Sequence, residues 1–305
     1  MTALACGTMN AMRTWDIFFR LAAVTLLGAA CIASAAGQAA VQNGSASTAG
    51  RARSIVLPRE LIAGASATLS VLDAAGRLVP GVALETTDGE NLHTDATGRA
   101  IFAAPAAPGK LLVHVEGMMI AASVPVVAAP DAALGASANV QLTSSPHVLE
   151  LHNRFELAGT GFRGIADENH VAIGEKQALV LAASPTSIVA LPDPGTSLGM
   201  AVLSVEAMNQ GSTTAATVVV AVEAIEPQGP LRVGQQTTFT VRVRGTREPV
   251  AVEVSDLSPA ILRLTGGNPL KLTTSGGEMN EAQFEVVPLA AGKYSIRARL
   301  AAQNE

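Results

Sequence analysis

Apolar and polar residues alternate along most of this chain in short runs, and nowhere do they repeat at the i, i+3, i+4, i+7 spacing of a long amphipathic helix. In "KLLVHVEG", Leu111, Val113 and Val115 alternate with Leu112, His114 and Glu116. In "TTFTVRVRG", Phe239, Val241 and Val243 face one way and Arg242 and Arg244 the other. "KYSIRARL" sets Tyr294, Ile296, Ala298 and Leu300 against Ser295, Arg297 and Arg299. A period of two predicts strands with one buried face. Between the runs stand turn formers: Asp73 to Gly76, Asp88-Gly89, Asp95 to Gly98, and Asn209 to Gly211. Asp and Asn open turns by bonding their own backbone, and glycine closes them at positive φ. This rhythm predicts an all-β protein of the sandwich type.

The runs fall into blocks. Residues 54–128 hold "ATLSVLD", where Leu69 and Val71 share a face, then "GVALETT", "GRAIFAAP" and "KLLVHVEG". Residues 139–223 hold "FELAGTGFRG", "NHVAIGEKQALVLAA" and "GMAVLSVEAMNQGSTTAATVVVAV". Residues 228–305 follow a Pro/Gly-rich break at Glu226 to Pro230 and contain the third set of strands. The blocks are not copies of one another, so a short-period repeat is excluded. Residues 36–53, "AGQAAVQNGSASTAGRAR", are small and polar without period, and read as a flexible linker.

The N-terminus departs from this pattern. Arg13 and Arg20 precede "LAAVTLLGAACIASA", and Ala33-Ser34-Ala35 fits the small-x-small cleavage rule, so residues 1–35 are expected to be a signal peptide. The alternative is a membrane anchor, against which stands a run shorter than the roughly 18 residues of a span. Translation from Met12 gives a more compact signal than translation from Met1. Both cysteines, Cys6 and Cys31, lie in this leader, so a chain cleaved after Ala35 has no disulfide. Export to a periplasmic, cell-surface or extracellular location is the expectation.

Composition narrows the rest. The 305 residues are 49% hydrophobic but only 3% aromatic, which suits several small cores better than one large one. A net charge of −5, carried by scattered single charges, offers no footprint for nucleic acid.

Several stretches carry family resemblances. "VLDAAGRLVPGVALETTDGENLHTDATGRAIFAAP" resembles bacterial immunoglobulin-like and carboxypeptidase-regulatory-like surface modules. Pro146, "FELAGTGF", "NHVAIG", "ASPTSIVALP", "GMAVLSV" and "NQGSTTAATVVV" resemble, in order, an IPT/TIG domain, the immunoglobulin-like module of plexins, Rel-type transcription factors and many bacterial surface proteins. "LAAGKYSIRA" is similar to the last strand of immunoglobulin-like domains, which implies a Tyr294 near a sandwich end. Together they imply three tandem immunoglobulin-like β-sandwich domains after the leader. The small residues Gly28 to Ala30 before Cys31 resemble a bacterial lipobox, which makes Cys31 a candidate for lipidation and, with the leader, the chain's route to a membrane.

Candidate chemistry is sparse. "GTGFRG", Gly159 to Gly164, echoes a G-x-G-x-x-G phosphate loop, but that loop needs a helix after it, and "NHVAIGE" is another strand. No nucleophile elbow, zinc-protease or Walker motif occurs. His147, His152 and His170 are a conceivable zinc set without a supporting cysteine or acid pair. Asp88, Glu90, Asn91 and Asp95 are candidate oxygen donors for calcium, as in loops of extracellular sandwiches. Arg242 with Arg244, and Arg297 with Arg299, form a basic stripe if their strands are neighbours. No cofactor is expected and no catalytic residue is assigned.

A non-enzymatic role in surface or periplasmic interaction, adhesion or spacing is therefore expected, with an unidentified protein or glycan as partner. The contact surface is placed at the end of the second block, at Phe162, Arg163 and Asp193. The alternative is a carbohydrate-binding or accessory module of a polysaccharide-acting system. Its discriminator is exposed aromatic side chains for stacking on sugar rings, which are few in this chain.

Overall fold

Strands account for nearly all regular structure in the computed structural model, which describes residues 51–129, 139–227 and 230–301. The leader, Met12, Cys31 and most of the 36–53 linker lie outside the described residues. No helix among those described is long and apolar enough to cross a membrane.

The first lobe contains β1 (Ser54–Val56), β2 (Leu61–Ile62), β3 (Ser66–Leu72), β4 (Ala83–Thr86), β5 (Asn91–His93), β6 (Arg99–Ala103), β7 (Gly109–Val115) and β8 (Ala121–Val127). One layer has the order β2-β8-β7-β4-β5, and the other is β1 and β6 flanking β3. Leu69, Val71 and Phe102 meet Leu84, Leu111, Val113 and Val115 between them. Ala52, two residues before the boundary expected from composition, is already fully buried in this core. β3 departs from simple alternation: every residue after Ser66 is buried, Thr68, Ser70 and Leu72 included. A strand buried on both faces has something packed against each, and on β3 the second face meets the next lobe.

That second lobe contains β9 (Gln141–Ser144), β10 (Val148–Glu150), β11 (Phe155–Thr160), β12 (Asn169–Ile173), β13 (Lys176–Ala183), β14 (Ser187–Leu191), β15 (Gly199–Ala207) and β16 (Gly211–Ile225). One layer runs β9-β11-β14-β13 and the other β13-β12-β15-β16 with β10 parallel to β16; β13 enters both by a register shift between Val180 and Ala182. Such a bulge bends a strand enough to let it turn a sheet corner. Phe155, Leu157, Val171, Ile173, Ile188, Leu203, Val205 and Val219 fill the core. Asn209, at φ 61°, carries the β15–β16 hairpin at the Asn-Gln-Gly turn read from the sequence.

The third lobe adds β17 (Thr237–Arg244), β18 (Ala251–Asp256), β19 (Leu262–Leu264), β20 (Leu270–Thr273), β21 (Glu281–Pro288) and β22 (Ile296–Leu300). One layer is β16-β17-β21-β19 and the other β20-β18-β22. Phe239, fully buried, stacks at 5.6 Å from Phe284 and meets the edge of Tyr294 at 6.2 Å. Burying one such side chain contributes roughly 1.5–3 kcal/mol, so a core without tryptophan still holds when it is dense.

The lobes belong to one compact unit, Gly44–Glu305. β16, 15 residues long, pairs with β15 through Gly211–Val219 and with β17 through Ala221–Ile225, so a single strand serves the second and third cores. β3 joins β13 at Thr68 and Ala183, which links the first lobe to the same sheet.

Candidate functional site

The junction of the first and second lobes combines an apolar cluster, close backbone approach and an ion pair with a buried arginine. Its apolar part is a separate small cluster: Val56 and Leu72 from the first lobe, Leu181, Ala182 and Val189 from the second. Around it the backbones meet directly. A Cβ on Gly164 would sit 1.8 Å from the Ser66 carbonyl oxygen, so only glycine lets the second lobe approach β3 this closely. Thr68 Oγ1 donates to the Gly164 carbonyl at 2.6 Å and accepts from the Ala166 amide at 3.1 Å. The Arg59 amide donates to Ser187 Oγ at 3.1 Å.

The 163–168 loop that makes these contacts is itself held from within. Asn169, buried, accepts from the Arg163 amide at 2.9 Å and donates to the carbonyls of Arg163 and Ile165 at 2.8 and 2.9 Å. The loop ends in a short 3-10 turn, Ala166–Glu168, which places Asp167 beside Arg99 of β6. Arg99 Nη1 donates to Asp167 Oδ1 at 2.7 Å; the arginine side chain is 9% exposed and the aspartate 75%. Arg99 Nε has no partner, and neither has the hydroxyl of Ser70, the residue directly opposite Arg99 on β3. Each unpartnered buried polar atom costs roughly 1–3 kcal/mol. Beside Arg99 lies a cleft of about 190 Å³, bordered by Asp167, Asn169, His170, Gln177 and Leu179.

A larger cleft, of about 430 Å³, lies in the third lobe between Arg242, Arg244, Arg247 and Glu278. Its three guanidiniums are matched: Arg242 with Glu281 at 2.6 Å, Arg244 with Glu223, Arg247 with Glu278 at 3.5 Å. These are exposed ion pairs, which contribute little to stability. None of the buried unpartnered atoms belongs to this cleft. The inter-lobe cleft is the smaller, but it is the one with unsatisfied chemistry.

The residues singled out in the sequence are dispersed. Phe162 is buried in the second core and presents no contact surface. Arg163 is half-buried, its Nε donating to the Met208 carbonyl at 2.9 Å. Asp193 caps its own turn by accepting from the Gly195 amide at 2.7 Å. Since Phe155 pairs with Ala190 and Ala158 with Ser187, Phe162 and Asp193 lie beyond opposite ends of the β11–β14 ladder, and no common surface joins them.

The calcium candidates separate in the same way. Asp88, Glu90 and Asn91 stand at one end of β5 and Asp95 at the other. Asp88 accepts the Thr86 hydroxyl. Asp95 Oδ1 accepts from the Thr97 amide and hydroxyl, each at 2.7 Å, and from the Arg99 amide at 3.2 Å. Burial pushes the Asp95 carboxyl up, and those hydrogen bonds outweigh it and leave it below its ordinary value. His147 and His152 flank β10 while His170 is on β12, all exposed. Among the described residues no group of three or more His, Cys, Asp or Glu is placed to hold a metal ion. The arginine stripe does not form: Arg242 and Arg244 are on β17, Arg297 and Arg299 on β22 of the opposite layer, where Arg299 pairs with Glu253 at 2.5 Å.

The glycine stretch has a use that the sequence does not disclose. Gly159 and Gly164 are sites of close backbone approach, the first to the Gln141 carbonyl within the lobe and the second to the neighbouring lobe. Arg99, Asp167 and Ser70 carry no motif. Arg99 lies on the face of β6 that also carries Ile101 and Ala103, both exposed, and a single block offers no sign that this end of the face is covered.

No family model matches this chain. No curated protein matches it either. Solved structures share its β character at great distance. One is a Bacteroides ovatus protein, SGBP-B of a mixed-linkage glucan utilization locus, in complex with a mixed-linkage heptasaccharide. It is 13% identical over 79% of this chain and 76% of its own, with a TM-score of 0.29. The surface layer protein SbsC, domains 1–6, is 15% identical over 83% of this chain and 39% of its own, with a TM-score of 0.20. The Yersinia pseudotuberculosis adhesin InvE is 15% identical over 54% of this chain and 58% of its own, at 0.19. The all-β assignment rests on the strands of this chain, and these likenesses carry nothing further.

Proposed function

We propose that this chain is an exported, non-enzymatic protein of three immunoglobulin-like sandwiches, the middle one IPT/TIG-like, that works as an interaction or spacer element at the cell surface or in the periplasm. The observation that carries this reading is the way the lobes are joined. Modules strung on free linkers move relative to one another by default. In this chain β16 runs unbroken from the second core into the third, and Gly164, Thr68 and Arg99 fix the first lobe against the second. A frame of that kind holds loops and sheet faces at fixed spacing, which is what a binding or spacing role requires. The leader, residues 1–35, supports export, and a mature chain without cysteine relies on these junctions where other exported proteins use disulfides.

Fractionation of a bacterium expressing the full chain with a C-terminal tag, together with limited proteolysis of the exported product, tests the reading. Recovery outside the cytoplasm, shortened by the leader and resistant to cleavage between the lobes, is the expected result. An unprocessed cytoplasmic chain, or rapid cleavage near residues 160–168 or 219–226, overturns it.

A further inference from the structure

We propose that the cleft between the first and second lobes binds a neutral, hydroxyl-rich ligand, a sugar residue of a glycan. The inference rests on the reading of the chain as an exported interaction protein and supplies the ligand class that reading leaves open. The cleft holds both halves of a hydrogen-bonding pair, the Arg99 guanidinium as donor and the Asp167 carboxylate as acceptor, 2.7 Å apart. A hydroxyl both donates and accepts, and two adjacent sugar hydroxyls match a guanidinium next to a carboxylate. Gln177 and His170, exposed at the rim, each carry a donor and an acceptor as well. No Phe, Tyr or Trp lines this cleft, and Leu179, 43% exposed, offers in place of an aromatic platform an apolar patch to the C–H face of a ring.

Charge at the cleft selects neither an anion nor a cation. An anionic ligand reaching Arg99 meets Asp167, and a cation reaching Asp167 meets Arg99, so the pair favours neither. Arg99, which lines the cleft, has its Nε buried and unpartnered. An oxygen entering at its floor would give the guanidinium an acceptor that the protein does not supply. About 190 Å³ is well below the roughly 300–1,000 Å³ of a drug-sized pocket, and suits one ring of a longer chain.

Affinity electrophoresis tests the proposal, with the exported product run in native gels containing xyloglucan, hydroxyethyl cellulose or starch, and in parallel gels containing alginate or polygalacturonate. Retardation in at least one neutral polysaccharide is expected. Gln177→Ala and Asp167→Asn should each weaken it about tenfold, as the loss of one strong hydrogen bond does. Arg244→Ala, in the other cleft, should leave it unchanged. Gln177 is exposed and its removal does not threaten the fold, so that variant keeps the test valid if Asp167→Asn unfolds. No retardation in any neutral gel, retardation only by the acidic polymers, or retardation indifferent to Gln177→Ala each overturns the proposal. A chain that is exported and processed yet ignores all the polysaccharides sinks this inference alone and leaves the proposed function standing.

Discussion

The two junctions of this molecule are made on different principles. Between the second and third lobes the connection is one strand. β16 passes from one core to the other, and Val218, Val220 and Val222 on it pack with Val148 into the third core. Between the first and second lobes no described strand runs through both cores in this way. The contact is assembled from side chains and backbone far apart in sequence: Ser66 on Gly164, Thr68 on Ala166, Arg99 on Asp167. The first kind of junction is local and apolar, and it persists while β16 stays paired. The second is non-local: beside the small apolar cluster of Val56, Leu72, Leu181, Ala182 and Val189 it uses a few polar atoms, and it leaves two of them unsatisfied. A junction of the second kind is the easier to break by point substitution and the natural place for a ligand.

The largest effect expected from a single change is therefore at Gly164. Alanine there puts a Cβ 1.8 Å from the Ser66 carbonyl, and backbone cannot move aside as a side chain can. Gly164→Ala should cost about 3 kcal/mol, the upper end of overpacking. In a urea titration it should also separate the unfolding of the first lobe from that of the rest. Gly109→Ala is the control, because nothing lies within 4 Å of its Cβ position and its φ is not positive. A Gly164→Ala chain as stable as wild type would show that the lobes do not dock through β3.

A smaller effect, with a sign that discriminates, comes from the Arg99–Asp167 pair. Removing the aspartate leaves a buried guanidinium without its counter-charge, whereas removing the arginine leaves an exposed carboxylate free in water. Asp167→Ala should cost about 2 kcal/mol, less than the roughly 3–5 of fully buried pairs because Asp167 is largely solvated. Arg99→Met should be close to neutral, since it also removes the unpartnered Nε. Thermal melts of both variants decide the matter. Equal losses would mean that Arg99 acts by packing rather than by charge.

This contrast also explains what the sequence discloses. Strands are legible because a half-buried strand needs only its own alternation, as in Phe239 to Arg244, whose inward and outward residues fall as read. The second face of β3 is not legible for the converse reason. Thr68, Ser70 and Leu72 fall on the face opposite Leu69 and Val71, and Thr68 is bonded there to Gly164, ninety-six positions away. Phe162 and Asp193 are both near ends of strands in the same block, but which end is a matter of register, and a one-block reading does not fix register. The glycines of "FELAGTGFRG" are legible as backbone requirements. That Gly164 serves another lobe is not, since the partner is a carbonyl oxygen that any residue at Ser66 would provide.

The mildest test falls on the strand-built junction, at Glu150 of β10. Its Oε2 accepts from the Leu300 amide of the third lobe at 2.8 Å. Burial pushes this carboxyl up, and the hydrogen bonds from Leu300 and Asn153 and the charges of His152 and Arg299 only partly offset it. A carboxyl whose folded pKa is raised adds stability below its unfolded pKa and loses it as pH rises through the folded value. At neutral pH the Glu150 charge therefore weighs against the folded state. Glu150→Gln keeps an acceptor for Leu300 and discards the charge, so it should raise the melting temperature slightly at pH 7, by no more than about 1 kcal/mol. The gain should shrink as the pH is lowered towards 4, where the wild-type carboxyl is itself protonated. Melting curves of the two chains at pH 4, 5.5 and 7 check the sign. A loss at pH 7 would mean that the ionised carboxylate holds Leu300 more tightly than its burial costs, and that this junction too depends on a charge.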